Sequence, residues 1–416
     1  MTTGFPIAAV RARFPALGAT TDGRPRVYFD APGGTQVCSD AIDAMAAHLR
    51  GGTANAGGRF ETSRATDAMS ADAHAAVADL IGGQPGEIAF GPNMTTLTLS
   101  ASRALAQTWG PGDEIVVTRL DHDANVAPWL LVAADRGMTV RWLEFDPATG
   151  VLRLEDLPEL LGPRTRLIAV GGASNVLGTI NDLPSIIATV RRFSPALVYV
   201  DAVQSMPHVV TDVTALGCDL LAFSPYKFFG PHQGVLWGRA DLMSSIEAYK
   251  VRPATITPAA VRFETGTPSF EGQAGVLGMT GYLEWLGGSI DPAATSRRGR
   301  FLAAMRGCME YETGLAERLL DGLSALDRIQ LYGPVTARGR VPTFSFTIAA
   351  HTPSDVAGFL AERSIFAGAG HFYAVEAIGV MGLGDAGGVV RVGLCHYNTA
   401  DEVDALIAAL TEFTAS

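Results

Sequence analysis

The sequence predicts an α/β protein with a mostly parallel sheet covered by helices on both faces. Three observations predict it. First, short apolar runs recur at 87–90, 114–118, 139–143, 166–170, 197–201 and 219–223, with the continuous apolar character of strands buried on both faces. Second, helical stretches lie between most of them, 97–107 among them, and another at 68–81 precedes the first, the alternation that gives parallel strands. Third, Gly-Pro turns at 91–92 and 110–112 punctuate the runs. Beyond this region the pattern changes. An apolar helix over 275–286 is followed by a helical stretch over 297–327. The tail then reads as a strand at 342–348, a helix at 353–363, a strand at 389–394 and a closing helix at 400–413. The expected organisation is an N-terminal segment (1–27) packing on the small domain with its tip near Gly23 exposed, a large domain (28–275), and a linking helix with a small α+β C-terminal domain (276–416).

Composition narrows the function classes. A chain of 416 residues has ample material for a sizeable core and more than one domain. Its formal net charge of −11 argues against a nucleic-acid surface. Four cysteines without paired spacing point neither to a disulfide scaffold nor to a structural zinc site. No apolar run is long enough to span a membrane, and the N-terminus lacks the pattern of a secretory peptide. The expectation is a cytoplasmic enzyme with no membrane or nucleic-acid partner.

Lys227 is the most telling residue. It sits in Ser224-Pro225-Tyr226-Lys227-Phe228-Phe229-Gly230, directly after an apolar run. Burial disfavours the ammonium and lowers a lysine pKa, and a neutral amine is what Schiff-base chemistry needs. The alternative is a lysine whose stem is buried and whose head reaches water. Upstream, Ala196 to Val200 reads as a buried strand that delivers Asp201 to its carboxyl end, the edge where open α/β sheets bind ligands. An acid and a lysine on one edge suit pyridoxal phosphate, which a lysine holds and a carboxylate keeps protonated at its ring nitrogen. Gly91 to Thr96 precedes a helical run and can seat a phosphate, or simply supply an N-cap. Leu120-Asp121-His122-Asp123-Ala124-Asn125 follows another strand, and His122 can stack on a pyridine ring. The cluster lacks a clear ligand set, so no metal is expected.

With these motifs in place, the chain resembles the class V aminotransferases, fold-type I pyridoxal phosphate enzymes that include the cysteine desulfurases. The likeness runs from Tyr28-Phe29-Asp30-Ala31-Pro32-Gly33-Gly34 to Arg391-Val392-Gly393-Leu394-Cys395-His396, and is nearest to the desulfurase-like group. By position the resemblance implies that Lys227 carries the cofactor and moves the Cα proton, Asp201 pairs with the ring nitrogen, and His122 stacks on the ring. Gln204 reaches the phenolic oxygen, and Asn175 lies beside the cofactor. Thr95, Thr96, Ser224 and Tyr226 hold the phosphate. Thr267 reaches the phosphate of a neighbouring subunit in a homodimer. Arg391 takes the substrate carboxylate. Gly33, Gly34 and the 55–59 loop face an amino-acid substrate, with Arg59 either reading a second acidic group or standing solvated. One departure matters: Tyr373 stands where desulfurases carry a mobile cysteine, and a phenol cannot accept sulfur. Cys395 falls on a segment that the family places in a packed strand.

The resemblance implies chemistry at Cα and Cβ of an amino acid, desulfurase-like or C–S lyase in kind, with Tyr373 or His371 as an acid toward the leaving group. Transamination and epimerisation by the same parts stay open, as does a non-catalytic partner protein of sulfur metabolism.

Overall fold

The computed structural model describes residues 4–252 and 254–415. Residues 1–3 of the expected N-terminal segment, position 253 and position 416 lie outside them.

Seven strands form the main sheet: β1 (Ile88–Gly91), β2 (Glu114–Thr118), β3 (Thr139–Leu143), β4 (Thr165–Gly171), β5 (Leu197–Asp201), β6 (Leu220–Phe223) and β7 (Gly234–Gly238). Their order is β1-β7-β6-β5-β4-β2-β3. β7 alone runs against the rest, antiparallel to both β6 and β1. Its sequence, Gly-Val-Leu-Trp-Gly, was not among the expected strands, because two glycines bound a run of only three apolar residues.

Each strand divides its side chains between two faces, as its two-residue period requires. Val116, Ile168, Val198, Val200 and Leu221 face one core with Val77 and Ile186. Ile115, Leu167, Tyr199 and Leu220 face the other, with Leu97, Ala101 and Trp129. The helices that cover these faces are α1 (Ser39–Arg50), α2 (Glu61–Ile81), α3 (Met94–Leu105), α4 (Ala127–Arg136), α5 (Leu183–Phe193) and α6 (Phe270–Ile290). α3 starts three residues earlier than expected because Asn93 caps it: its Oδ1 accepts the Thr96 N–H at 2.8 Å. α6 packs on α1, α2 and the 28-residue α7 (Arg297–Ser324). At Gly278 a side chain would lie 2.3 Å from the Asp40 carbonyl of α1, so only glycine permits this approach.

A second sheet, β8 (Ile329–Tyr332), β9 (Thr343–Ile348), β10 (Gly368–Gly370) and β11 (Val389–Gly393), has the order β8-β9-β11-β10. It packs with α7, α8 (Pro353–Ala361) and α9 (Ala400–Ala415) around Phe344, Phe346, Val390 and Leu406. The N-terminal residues touch both units: Val10 and Phe14 join the core with Phe229 and Tyr282, and other residues reach the second sheet and its helices. Phe5 stacks on Tyr311 at 4.4 Å, Arg11 pairs with Glu402 at 2.8 Å, and Val27 and Tyr28 pair in parallel with Ile365 and Phe366. Gly23 is exposed. No described helix is long and apolar enough to cross a membrane.

Candidate active site

The carboxyl ends of five strands converge on one place. The chain leaves β1 at Gly91 and enters α3 beside Thr95. It leaves β2 to reach Asp121 and His122, and β4 to reach Asn175. β5 ends on Asp201 and β6 delivers Ser224, with Lys227 one turn later. These residues wall a narrow inner pocket of about 50 Å³. It adjoins a wider cavity of about 610 Å³, on which Lys227 and His122 also border, together with Arg391, Phe372 and Tyr373. The register of the parallel strands explains the arrangement: Asp201 of β5 lies opposite Gly171 of β4 and Ala222 of β6, so the sheet itself fixes the acid.

The electrostatics are polarised. Asp201 is buried, and its Oδ1 accepts the Val203 N–H at 2.9 Å. Its pKa is raised to about 7, chiefly by desolvation and in part by the neighbouring Asp121, against the Val203 N–H bond and the charge of Lys227. Asp121 accepts from the Gly171 N–H at 3.0 Å and from Asn125 Nδ2 at 2.7 Å, and burial lifts it to about 6. A Cβ at Gly171 would come within 3.0 Å of Asp121 Oδ1, so the glycine makes room for the two acids. Lys227 donates from Nζ to the Pro32 carbonyl. Desolvation, then the charge of Arg391, lowers it to about 7, against the pull of Asp201. His122 is pushed down to about 4 by desolvation, then by Lys227 and Arg391, so its ring is neutral. Its Nδ1 accepts the Ala124 N–H at 3.0 Å.

Arg391 arrives from β11 of the second sheet. It is buried, donates from Nη1 to the Asn175 carbonyl at 2.9 Å, and lies with Cζ 3.8 Å from the centre of the Phe372 ring. Burial lowers its pKa to about 9, partly offset by the charge of Asp30. Asp30 Oδ1 is itself buried without a hydrogen-bond partner. Gln204 Nε2 donates to the same Pro32 carbonyl as Lys227, at 2.8 Å. Ser224 Oγ accepts the Met94 N–H at 3.0 Å, which ties it to the start of α3. Tyr226 stacks on His232 with ring centres 4.7 Å apart.

Five of the site positions expected from the sequence border neither the inner pocket nor the wider cavity. Gly34 does not border the cavity; it packs against the Tyr226 ring, and Gly33 takes the wall position. Of the two glycines expected to face the substrate, Gly33 borders the cavity, in a turn closed by its N–H on the Asp30 carbonyl (2.7 Å). His371 is exposed and lines neither cavity, whereas Tyr373 does. Backbone φ of 52° at Phe372 and 58° at Tyr373 sends their side chains where an extended loop would not. Thr96 spends its hydroxyl and N–H on Asn93, and with Thr267 it lines a separate cavity of about 490 Å³. Arg59 is exposed and lines none of these cavities. Cys38, Cys218, Cys308 and Cys395 are all buried, and burial raises every one of these thiols, the first two to about 12. Sequence reasoning assigned no role to Asp121, Asp30 or Phe372, although the first two lie in motifs it singled out.

The site fits pyridoxal phosphate on its own features. It has a buried carboxylate that lacks a cation in hydrogen-bond contact, an amine close to neutrality, a neutral imidazole wall, and an orphaned Asn175 Oδ1. The N-terminus of α3 with Thr95 and Ser224 offers donors to a phosphate.

Known proteins agree. Residues 27–406 match the aminotransferase class-V family. A cysteine desulfurase of Klebsiella pneumoniae is 32% identical over 425 residues, covering 98% of each chain. An aminotransferase-like protein of Gibberella zeae is 32% identical over 418 residues, again covering 98% of each. Among solved structures, the cysteine desulfurase of Thermococcus onnurineus superposes with a TM-score of 0.87 at 26% identity and 99% coverage of both chains. The cysteine desulfurase CsdA of Escherichia coli gives 0.82 at 27%, covering 99% of this chain and 98% of its own. This chain belongs to the class V aminotransferases, fold-type I enzymes that depend on pyridoxal phosphate.

Proposed function

We propose that this enzyme removes a sulfur substituent from Cβ of an amino acid, as a C–S lyase with desulfurase-like chemistry. One observation carries the reading: Lys227 and His122 border both the inner pocket that Asp201 lines and the adjoining cavity that Arg391 lines, with the charges that such chemistry needs. The relatives named cysteine desulfurase support it. The four buried, high-pKa cysteines favour release of sulfur as a free product, because a thiolate is the form that accepts it.

When bound, pyridoxal phosphate supplies an electron sink at the substrate Cα. Lys227 would hold it, Asp201 would keep its ring nitrogen protonated, and His122 would lie against its ring. Thr95, Ser224 and the start of α3 would take its phosphate, with Gln204 and Asn175 at its edge. Arg391 binds the substrate carboxylate as a planar fork, itself oriented by the Asn175 carbonyl and the Phe372 ring. Lys227, with a pKa near 7, is part neutral at physiological pH and takes the Cα proton onto Nζ. The electron pair left at Cα forms the Cα–Cβ double bond, and the pair of the Cβ–S bond leaves with the sulfur as a thiolate. The Tyr373 hydroxyl, on the cavity wall, protonates the departing thiolate. With cysteine and one water the products balance as pyruvate, ammonia and hydrogen sulfide.

The 490 Å³ cavity walled by Thr96, His232 and Thr267 supports a homodimer in which Thr267 serves the neighbouring site. Product analysis tests the reading. Holoenzyme given cysteine or an S-substituted cysteine yields a 2-oxo acid and a sulfur product in equal amounts. Amino transfer to a 2-oxo acid with no sulfur released overturns it.

A further inference from the structure

We infer that the preferred substrate carries an uncharged apolar group on sulfur, an S-alkyl or S-aryl cysteine, in preference to free cysteine. The inference rests on the C–S lyase reading and deepens it. Much of the wall of the 610 Å³ cavity is apolar. Leu99 of α3 and Ala127, Pro128 and Leu131 of α4 make one side, and the Phe372 and Tyr373 segment makes another. Leu131 is 56% exposed and Tyr373 64%, so both present apolar surface at a place where the chain has no internal need for it. Cysteine ends at its sulfur and leaves this wall uncovered.

The segment is held in this position from the large domain. Asp123 N–H donates to the Tyr373 carbonyl at 2.7 Å, Asn175 Nδ2 to the Phe372 carbonyl at 2.8 Å, and Arg119 pairs with Glu376. Tyr373 therefore stands as a fixed wall, its ring centre 5.4 Å from that of His122. Apart from Lys227 and Arg391, the charged group on this cavity is Asp123, which disfavours an anionic substituent.

The test compares release of 2-oxo acid by holoenzyme from S-benzyl-L-cysteine, S-carboxymethyl-L-cysteine and L-cysteine. Calorimetric binding of 3-phenylpropanoate and propanoate, which have the carboxylate but no amine, gives a readout free of turnover. S-benzyl-L-cysteine exceeds both other substrates in kcat/KM by about tenfold or more, and 3-phenylpropanoate binds about tenfold tighter than propanoate. Leu131→Glu shrinks both ratios, and Leu131→Asn, at a position already open to solvent, repeats the effect with a milder change. If cysteine is used as well as the benzyl compound, or the two acids bind alike, the inference falls and the lyase reading stands. If no substrate yields 2-oxo acid, the lyase reading falls, and the binding ratio alone decides the apolar wall.

Discussion

Asp201→Asn isolates what it costs to bury a carboxylate before any ligand pairs with it. The ordinary pKa of 3.8 rises to about 7 in the fold, chiefly by desolvation, with Asp121 adding to it. A raised carboxylate pKa means that the fold prefers the protonated form. The group's stability contribution is complete below 3.8 and is lost as pH rises toward 7. The shift of roughly three units, at about 1.4 kcal/mol each, amounts to about 4 kcal/mol at pH 8. At pH 5 only the interval from 3.8 to 5 counts, which is under about 2 kcal/mol. Asparagine keeps the shape and never ionises. Apoprotein Asp201→Asn is therefore more stable than the parent by a few kcal/mol at pH 8, with the gain falling by about half or more at pH 5. Urea unfolding of both apoproteins at the two pH values measures it. Addition of pyridoxal phosphate reverses the ranking, because asparagine cannot pair with a protonated ring nitrogen and the parent gains more from the ligand. Equal urea midpoints for the two apoproteins at both pH values refute the reasoning.

Three further predictions follow from the same geometry. Lys227→Ala lowers turnover by roughly 10²- to 10⁴-fold and leaves no borohydride-fixed cofactor on the chain, which mass spectrometry of peptides checks. Arg391→Lys raises KM by about 10- to 100-fold with a smaller change in kcat, since the planar fork and the stacking on Phe372 are lost together; steady-state kinetics separate the two. Tyr373→Phe slows release of a poor thiolate leaving group by roughly 10²-fold, whereas His371→Ala leaves it near the parent rate, because His371 lines neither cavity. A His371→Ala loss equal to that of Tyr373→Phe contradicts the placement.

The large sheet was legible because its strands are buried on both faces. Runs such as Leu197 to Val200 carry no competing pattern, and the acid that ends the run marks its carboxyl edge. Lys227 and Asp201 were readable for the same reason: both are polar residues placed just where apolar runs stop. The other half of the site was harder to read. Asp30, Phe372 and Arg391 come together through a bridge between Asp30 and Gly393 and through the second sheet, across more than 340 positions of sequence. No local pattern encodes that contact. The placements of Gly33 rather than Gly34, and of Tyr373 rather than His371, on the cavity have a common cause. Each lies in a turn where one residue of register, or one left-handed backbone angle, decides which side chain meets the cavity. β7 was missed because an antiparallel insertion needs no helix on either side, and so breaks the alternation that revealed its neighbours.

The separation of charge within the site explains why His122 is neutral and why that matters. Asp121 and Asp201 sit together at the strand ends, flanking Gly171, and each resists ionisation on account of burial. Lys227 and Arg391 border the wider cavity, and each is lowered mainly by desolvation. His122 borders both the inner pocket and this cavity, and the two cations add to burial in denying it a proton. A protonated imidazole against a protonated pyridine ring would place two like charges face to face, at a cost of several kcal/mol in a buried setting. On the proposed roles, the same cations that hold His122 neutral would attract an anionic substrate, so one arrangement would serve stacking and binding. Neutralising Arg391 therefore relieves His122 as well as weakening carboxylate binding. Arg391→Gln raises the His122 pKa above about 4, visible in the pH titration of its ring protons by NMR on the apoprotein. An unchanged His122 titration would show that Arg391 has no part in setting its charge, which then rests on desolvation and Lys227.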